Sequence, residues 1–579
     1  MYNKNRTMRQ KNVLAAFLFV ATLVFGWSSN ACTNFLFTKG ATKDGSTIIT
    51  YAADSHTLYG ELYYRRAAQY PAGTMIQVIE WDTGKPLIKI PQAAQTYTTV
   101  GNMNEWGLVI GETTYGGREE CWDLGNGIDY GSLIYLTLQR TKTAREAIKQ
   151  IADFMATYGY ASEGESFSIA DGDEVWIMEL IGKGKGNKGA VWVARMIPDG
   201  YVSGHANQAR ITTFPLETKK NATSISYKNI KKIFDKNVTT VYADDVITFA
   251  RSKGWFNGKD SEFSFSDTYA PLTFSGVRGC EARVYAMFNR VNSSMNKYED
   301  YAMGKTLGSG NVERMPLWIK PDQKLSVKDV MDLMRDYYQG TPMDMSKDLG
   351  AGPFGCPYRW RPMNWEVDGQ KYIHERATST QQTGFSFVGQ TRNWMPAKAK
   401  GIIWFGVDDT YQTVYVPMYS SIAKVPHCFE EGNGSMTEYS PTSAFWKFNQ
   451  VSNFVYTRWK DMIVDLQKVQ NRLENSFINE VSQMDAKVKN MDDAEAMCKE
   501  LTDFSVAKGD ETFEAWSNLY NYLLVKYIDG NIKKEKDGKF EETGYRKGDA
   551  VFPSQPAYPT EWYRMIIKDH GNVIKDLSK

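Results

Sequence analysis

The sequence predicts an α+β fold on three observations. Short β-rich runs open the chain beyond residue 31, a punctuated amphipathic helix lies at Thr143–Gly159, and strand-like runs at 173–180 and 190–196 follow it. Strands and helices succeed one another without regular βαβ alternation, which favours α+β layers over a doubly wound parallel sheet.

The first runs are Thr33–Thr38 and Thr47–Tyr51, with Lys43-Asp44-Gly45 between them as a turn signal, so the pair reads as a hairpin. Asn102–Thr114, "NMNEWGLVIGETT", reads as a turn followed by a buried strand. In "TAREAIKQIADFMATYG", Thr143 and Glu146 have capping-box spacing, Ile148, Ile151 and Met155 space an apolar face, and Gly159 ends the helix. "DEVWIMEL" and "AVWVARM" supply two further strands. Residues 430–443, "EEGNGSMTEYSPTS", are polar and rich in turn formers and read as a linker. Beyond them Phe448, Val451, Val455, Trp459, Met462, Leu466, Val469, Leu473 and Phe477 recur at three- and four-residue steps, which predicts one long amphipathic helix docked on the main body. Lys533–Asp549 is highly charged and reads as a solvated loop. The expected organisation is 1–31 leader, 32–429 main domain, 430–443 linker and 444–579 a mainly helical region.

Composition narrows function by exclusion. The 579 residues are 42% apolar, enough to bury a large core, and 68 Lys and Arg balance 67 Asp and Glu. No net field recommends nucleic acid or an anionic membrane as a partner. Five histidines form no HExxH or HxH array, and six widely spaced cysteines form no CxxC pair, so no metal or other cofactor is expected. GxGxxG, Walker and GxSxG patterns are absent, which argues against nucleotide and α/β-hydrolase chemistry.

The N-terminus carries the chemistry. Lys4, Arg6, Arg9 and Lys11 precede an apolar run, Val13–Trp27, followed by small residues that place a signal-peptidase cut between Ala31 and Cys32. The run is shorter than the roughly 20 residues of a membrane span, so no stable span is expected and the product is exported, periplasmic or extracellular. Lipoprotein signals are also cut before a cysteine but favour an aliphatic residue three positions upstream, where this chain has Ser29. A cut before Cys32 yields a residue with both a thiol and a free α-amine. Their reference pKa values are near 8.5 and roughly 7.7–8.0, so one residue supplies nucleophile and base.

These residues resemble the cysteine dipeptidase family typified by bacterial dipeptidase A, within the N-terminal nucleophile (Ntn) hydrolase superfamily. The likeness runs in order through "ACTNFLFTKGATKDGSTIIT", "NMNEWGLVIGETT", "RTKTAREAIKQIADFMATYGY", "DGDEVWIMEL", "VSGHANQARI", "YYQGTPMDM", "GAGPFGCPYRW" and "WFGVDDTYQTVYVPMY", roughly Cys32–Tyr419. It implies a four-layer αββα sandwich and hydrolysis of dipeptides or short peptides. By position Cys32 resembles the nucleophile, Asp54 the aspartate that bonds its amine or thiol, Asn207 the oxyanion-hole amide and Arg283 a later site-polarising arginine. Relatives commonly read Arg-Asn-x-Asp where this chain has Tyr51-Ala52-Ala53-Asp54, so a cation expected near the thiol is missing unless Arg283 or another arginine replaces it. His205 is read as a strand residue, because a terminal amine makes a separate base unnecessary. Two alternatives stay open: an amidase on other acyl amides, like penicillin or bile-salt acylases, and a lipid-anchored binding protein without catalysis. The sequence leaves homo-oligomerisation open.

Overall fold

The computed structural model describes residues 32–307, 313–541 and 551–578; the leader and part of the charged 533–549 segment lie outside them. The class is α+β, as the sequence predicts. Antiparallel strands β1 (Asn34–Phe37) and β2 (Thr47–Asp54) form the expected hairpin, with Gly45 at φ +78° in its turn and Leu36 opposite Ile49. Strand β3 (Val109–Gly116) follows the 103–108 turn, and helix α1 (Ala144–Tyr158) leads to β4 (Gly164–Ala170), β5 (Val175–Gly182) and β6 (Ala190–Met196). Next come β7 (Val202–His205), α2 (Ala282–Val291), β8 (Thr383–Thr391), β9 (Gly401–Val407) and β10 (Val416–Tyr419).

Two large sheets result. One has seven strands, with β7-β1-β2-β8-β9-β10 adjacent in that order; the other has nine, with β6-β5-β4-β3 at its centre. The sheets meet where β2 crosses β3 and β4. Gly111 permits the approach: a Cβ there would stand 2.6 Å from the Asn34 side-chain amide oxygen. That amide in turn locks the sheets together, donating to the Glu112 carbonyl at 2.9 Å and accepting from the Glu112 N–H at 3.0 Å and the Ser168 hydroxyl at 3.1 Å. Helix α1 covers the nine-stranded sheet with Ile148, Ile151 and Met155 fully buried. Its cap differs slightly from the predicted box. Thr143 accepts from Glu146 N at 3.2 Å, but the Glu146 carboxylate reaches Lys142 N at 2.7 Å rather than the Thr143 N–H.

The predicted single long helix is two, α3 (Ala444–Thr457) and α4 (Trp459–Val488), followed by α5 (Ala494–Tyr527). Arg458 leaves helical geometry at φ −149°, ψ 58°. The break turns Trp459 into a cluster with Tyr337, Tyr358 and Tyr411, at ring distances of 5.2–6.3 Å. Arg458 itself donates to Asp461 and, at 2.7 Å, to the Gly530 carbonyl. The apolar period runs through the break unchanged, so tertiary packing overrides it. All three helices share one core with the seven-stranded sheet. Within the charged segment, Glu535–Lys536 and Lys539–Phe540 pair as a small hairpin instead of a plain loop.

Candidate active site

Cys32 lies two residues before β1 and is 4% exposed. Residue 33 pairs with Ala52 on β2, so the cysteine is held at the end of a central strand rather than on a loose tail. All six cysteines are free thiols. From α2, Arg283 reaches back to this point. Its Nη1 donates to the Cys32 carbonyl at 2.6 Å and to Thr33 Oγ1 at 2.7 Å, and its Nη2 donates to Asn207 Oδ1 at 2.8 Å. Arg283 thereby ties Cys32 to Asn207 through one buried guanidinium. Asn207 follows β7 at φ +56°, a left-handed conformation that asparagine tolerates better than most residues. With Oδ1 taken by Arg283, its Nδ2 is the donor end, bonded to the Thr114 carbonyl at 2.6 Å.

Asp54 ends β2 with its side chain buried. One carboxylate oxygen accepts from Arg376 and the other from Thr383 Oγ1 at 2.6 Å. Burial raises its pKa against the opposing pull of Arg376. Cys32, Asp54, Asn207 and Arg283 therefore converge, and Arg376, not singled out in the sequence, joins them through Asp54.

The Tyr51 position is where the sequence departs from its relatives. The Cys32 Sγ lies 3.7 Å from Tyr51 Oη and 3.6 Å from Glu112 Oε1, and the phenol also donates to that carboxylate. An acid–phenol pair, not a cation, therefore faces the sulfur. Burial pushes the thiol pKa well up, and the charges of Glu112 and Asp54 push it further, against the Asp54 backbone and the Tyr51 hydroxyl. Glu112 is itself raised to about 7, burial being the largest cause, and neighbouring Glu165 is raised well above its ordinary value by burial and then by Glu112. Both acids are strand residues in polar-apolar runs, and their only sequence signal is a carboxylate inside a buried strand.

His205 is fully buried at the end of β7. Its Nδ1 and Nε2 each lie 2.7 Å from a hydroxyl, of Thr113 and Ser168 respectively. Burial and then Arg210 drive its pKa down to about 3, so it stays neutral in the fold and both nitrogens are engaged away from the sulfur.

Comparison of the sequence with known proteins identifies a family. The sequence pattern of peptidase family C69 matches residues 31–472, most of the chain and all of the residues just described. The chain belongs to peptidase family C69. Similar curated proteins include a "Probable dipeptidase B" of Streptococcus pyogenes serotype M1, 21% identical over 93% of this chain and 98% of that one. A "Probable dipeptidase" of Latilactobacillus sakei is 23% identical over 86% and 95%. A "Dipeptidase" of Bifidobacterium longum (strain NCC 2705) is 21% identical over 72% and 75%. The C69 match crosses 430–443 and ends within α4. No described helix is long and apolar enough to cross a membrane.

Proposed function

We propose that this C69 protein is an exported cysteine-type dipeptidase whose nucleophile is Cys32, made N-terminal by removal of residues 1–31. One observation carries the reading: the cysteine at the expected cut is seated at a strand end, and a single arginine links its carbonyl to Asn207. Dipeptidase names among the relatives supply the substrate class. Two sheets with helices outside suit the four-layer αββα Ntn sandwich, and the helices after residue 443 serve as a buttress for the 32–429 unit.

In this reading the Cys32 α-amine takes the thiol proton, and the sulfur attacks the carbonyl of the first substrate residue. The developing oxyanion lies against the Asn207 amide, an N–H₂ donor whose oxygen end is fixed by Arg283. Collapse breaks the C–N bond, and the ammonium of Cys32 returns its proton to the departing amine. Water, deprotonated by the same amine, then cleaves the thioester, releasing the first amino acid and restoring the thiol. Arg283 and Asp54 act as positioning residues, one on the Cys32 backbone and one on the end of β2.

Intact mass and N-terminal sequencing of the exported protein, together with turnover by Cys32→Ala, test the proposal. A free Cys32 terminus, and loss of dipeptide hydrolysis with an unchanged unfolding midpoint, are expected. A diacylglyceryl-modified terminus or retained turnover would refute it.

A further inference from the structure

Glu112 and Glu165 are more than a burden on the fold. Both carboxyls are at most 1% exposed, on neighbouring strands β3 and β4. Glu112 Oε1 is engaged by Tyr51, and Glu165 Oε1 accepts from Thr114 Oγ1 at 2.7 Å. The Oε2 of each is buried without a hydrogen-bond donor from any described residue. Glu112 pairs with Phe167, and Glu165 lies two residues along β4 from it, so the two acids are diagonal neighbours on one face of the sheet, where close like charges disfavour ionising both. Two buried acceptors with no donor among the described residues are costly unless something else supplies one.

Resting on the reading of Cys32 as nucleophile, we propose that the Glu112–Glu165 pair is the subsite for the substrate's free α-ammonium and so restricts the enzyme to unblocked N-termini. Covalent geometry places the α-nitrogen of an amino acid about 2.5 Å from its own carbonyl carbon. A sulfur poised to attack stands about 3–3.5 Å from that carbon. Glu112 Oε1, 3.6 Å from Sγ, is therefore within reach of the ammonium of the residue under attack. An ammonium brings three N–H donors and a positive charge to two carboxyls that share a negative one. Tyr51 fits the same purpose, since a cation at its position would neutralise this pair, whereas a phenol satisfies Glu112 Oε1 and leaves the charge. An amide or alkyl group in place of the ammonium would leave the acids without donors, and sites built to bind a polar group reject analogues lacking it.

The test compares alanyl-alanine with N-propionyl-alanine, which has hydrogen in place of the amine, and with N-acetyl-alanyl-alanine. The expected kcat/KM preference for the free dipeptide over both blocked forms is at least about 100-fold. In Glu165→Gln the alanyl-alanine to N-propionyl-alanine ratio should shrink, chiefly through a raised KM for alanyl-alanine. Equal cleavage of free and N-propionyl substrates by the wild-type enzyme would overturn the proposal without needing any variant. An unchanged ratio in Glu165→Gln, with both rates lowered alike, would assign the pair a purely structural role and overturn it too. Failure of the underlying reading is distinguishable: Cys32→Ala would then still cleave alanyl-alanine, whatever the ratio.

Discussion

Replacing Arg376 with Met removes the cation that faces Asp54 and keeps much of the side chain's bulk. Asp54 has a side-chain exposure of 0% and Arg376 of 10%, so solvent cannot compensate the orphaned carboxylate. Breaking a buried pair from one side typically costs about 3–5 kcal/mol. Protonation of Asp54 limits that cost. Burial already raises its pKa with Arg376 present, and loss of the cation raises it further above the unfolded value of about 3.9. A raised folded pKa means that the native state holds the proton more tightly than the unfolded chain. Stability is then fully present at low pH and is lost as pH rises towards the folded pKa. Because each pH unit between the two folded pKa values is worth roughly 1.4 kcal/mol, the deficit relative to wild type grows from pH 5 to pH 7, up to the cost of a pair broken from one side. Urea unfolding followed by tryptophan fluorescence at the two pH values reads the difference, and Asp54→Asn in the same background should recover most of it. A deficit equal at both pH values, or a double variant as unstable as Arg376→Met alone, would refute the reasoning.

Two further outcomes follow from buried groups away from the thiol. Asp408, at φ +64° and fully buried, is raised to about 8 by burial and then by the charge of Asp409. Its contribution should fall away between about pH 4 and 8, and Asp408→Asn, which accepts the same φ, should unfold at higher urea than wild type at pH 8, with the gain shrinking as pH falls and vanishing near pH 4. Gly509 lies in α5 where a Cβ would stand 2.4 Å from Pro426 Cγ. Gly509→Ala should therefore cost about 1–3 kcal/mol by overpacking although alanine alone favours helix by about 1 kcal/mol; a higher urea midpoint would contradict this docking of the helix.

The parts of the fold legible in the sequence are those fixed by neighbours along the chain. Gly45 in its turn, Thr143 at its cap and Gly159 at φ +90° each state a local backbone need. Cys32 is legible because the sequence places an expected cleavage site beside it, and Asn207 and Arg283 because their surroundings resemble a known family. Glu112 and Arg376 are not. Glu112 matters because it meets a sulfur 80 positions away, and Arg376 because it meets an aspartate 322 positions away. Spacing and periodicity say nothing about such pairs. The break at Arg458 hid for a related reason: the apolar steps continue through it, and only the ring cluster around Trp459 rewards the interruption.

Strand β10 is the outer strand of the seven-stranded sheet, and its outward N–H groups end on helices rather than on another strand. Tyr419 N donates to Ser505 Oγ of α5 at 3.2 Å, and Tyr415 N, just before the strand, donates to Glu474 Oε1 of α4 at 3.1 Å. These two bonds deny the strand to any incoming chain, since an open edge is a template for aggregation. A protease or an engineer who clips the polypeptide after residue 443 would therefore release a sheet with an adhesive rim. The helices after residue 443 thus act on the sheet as a cover for its β10 edge.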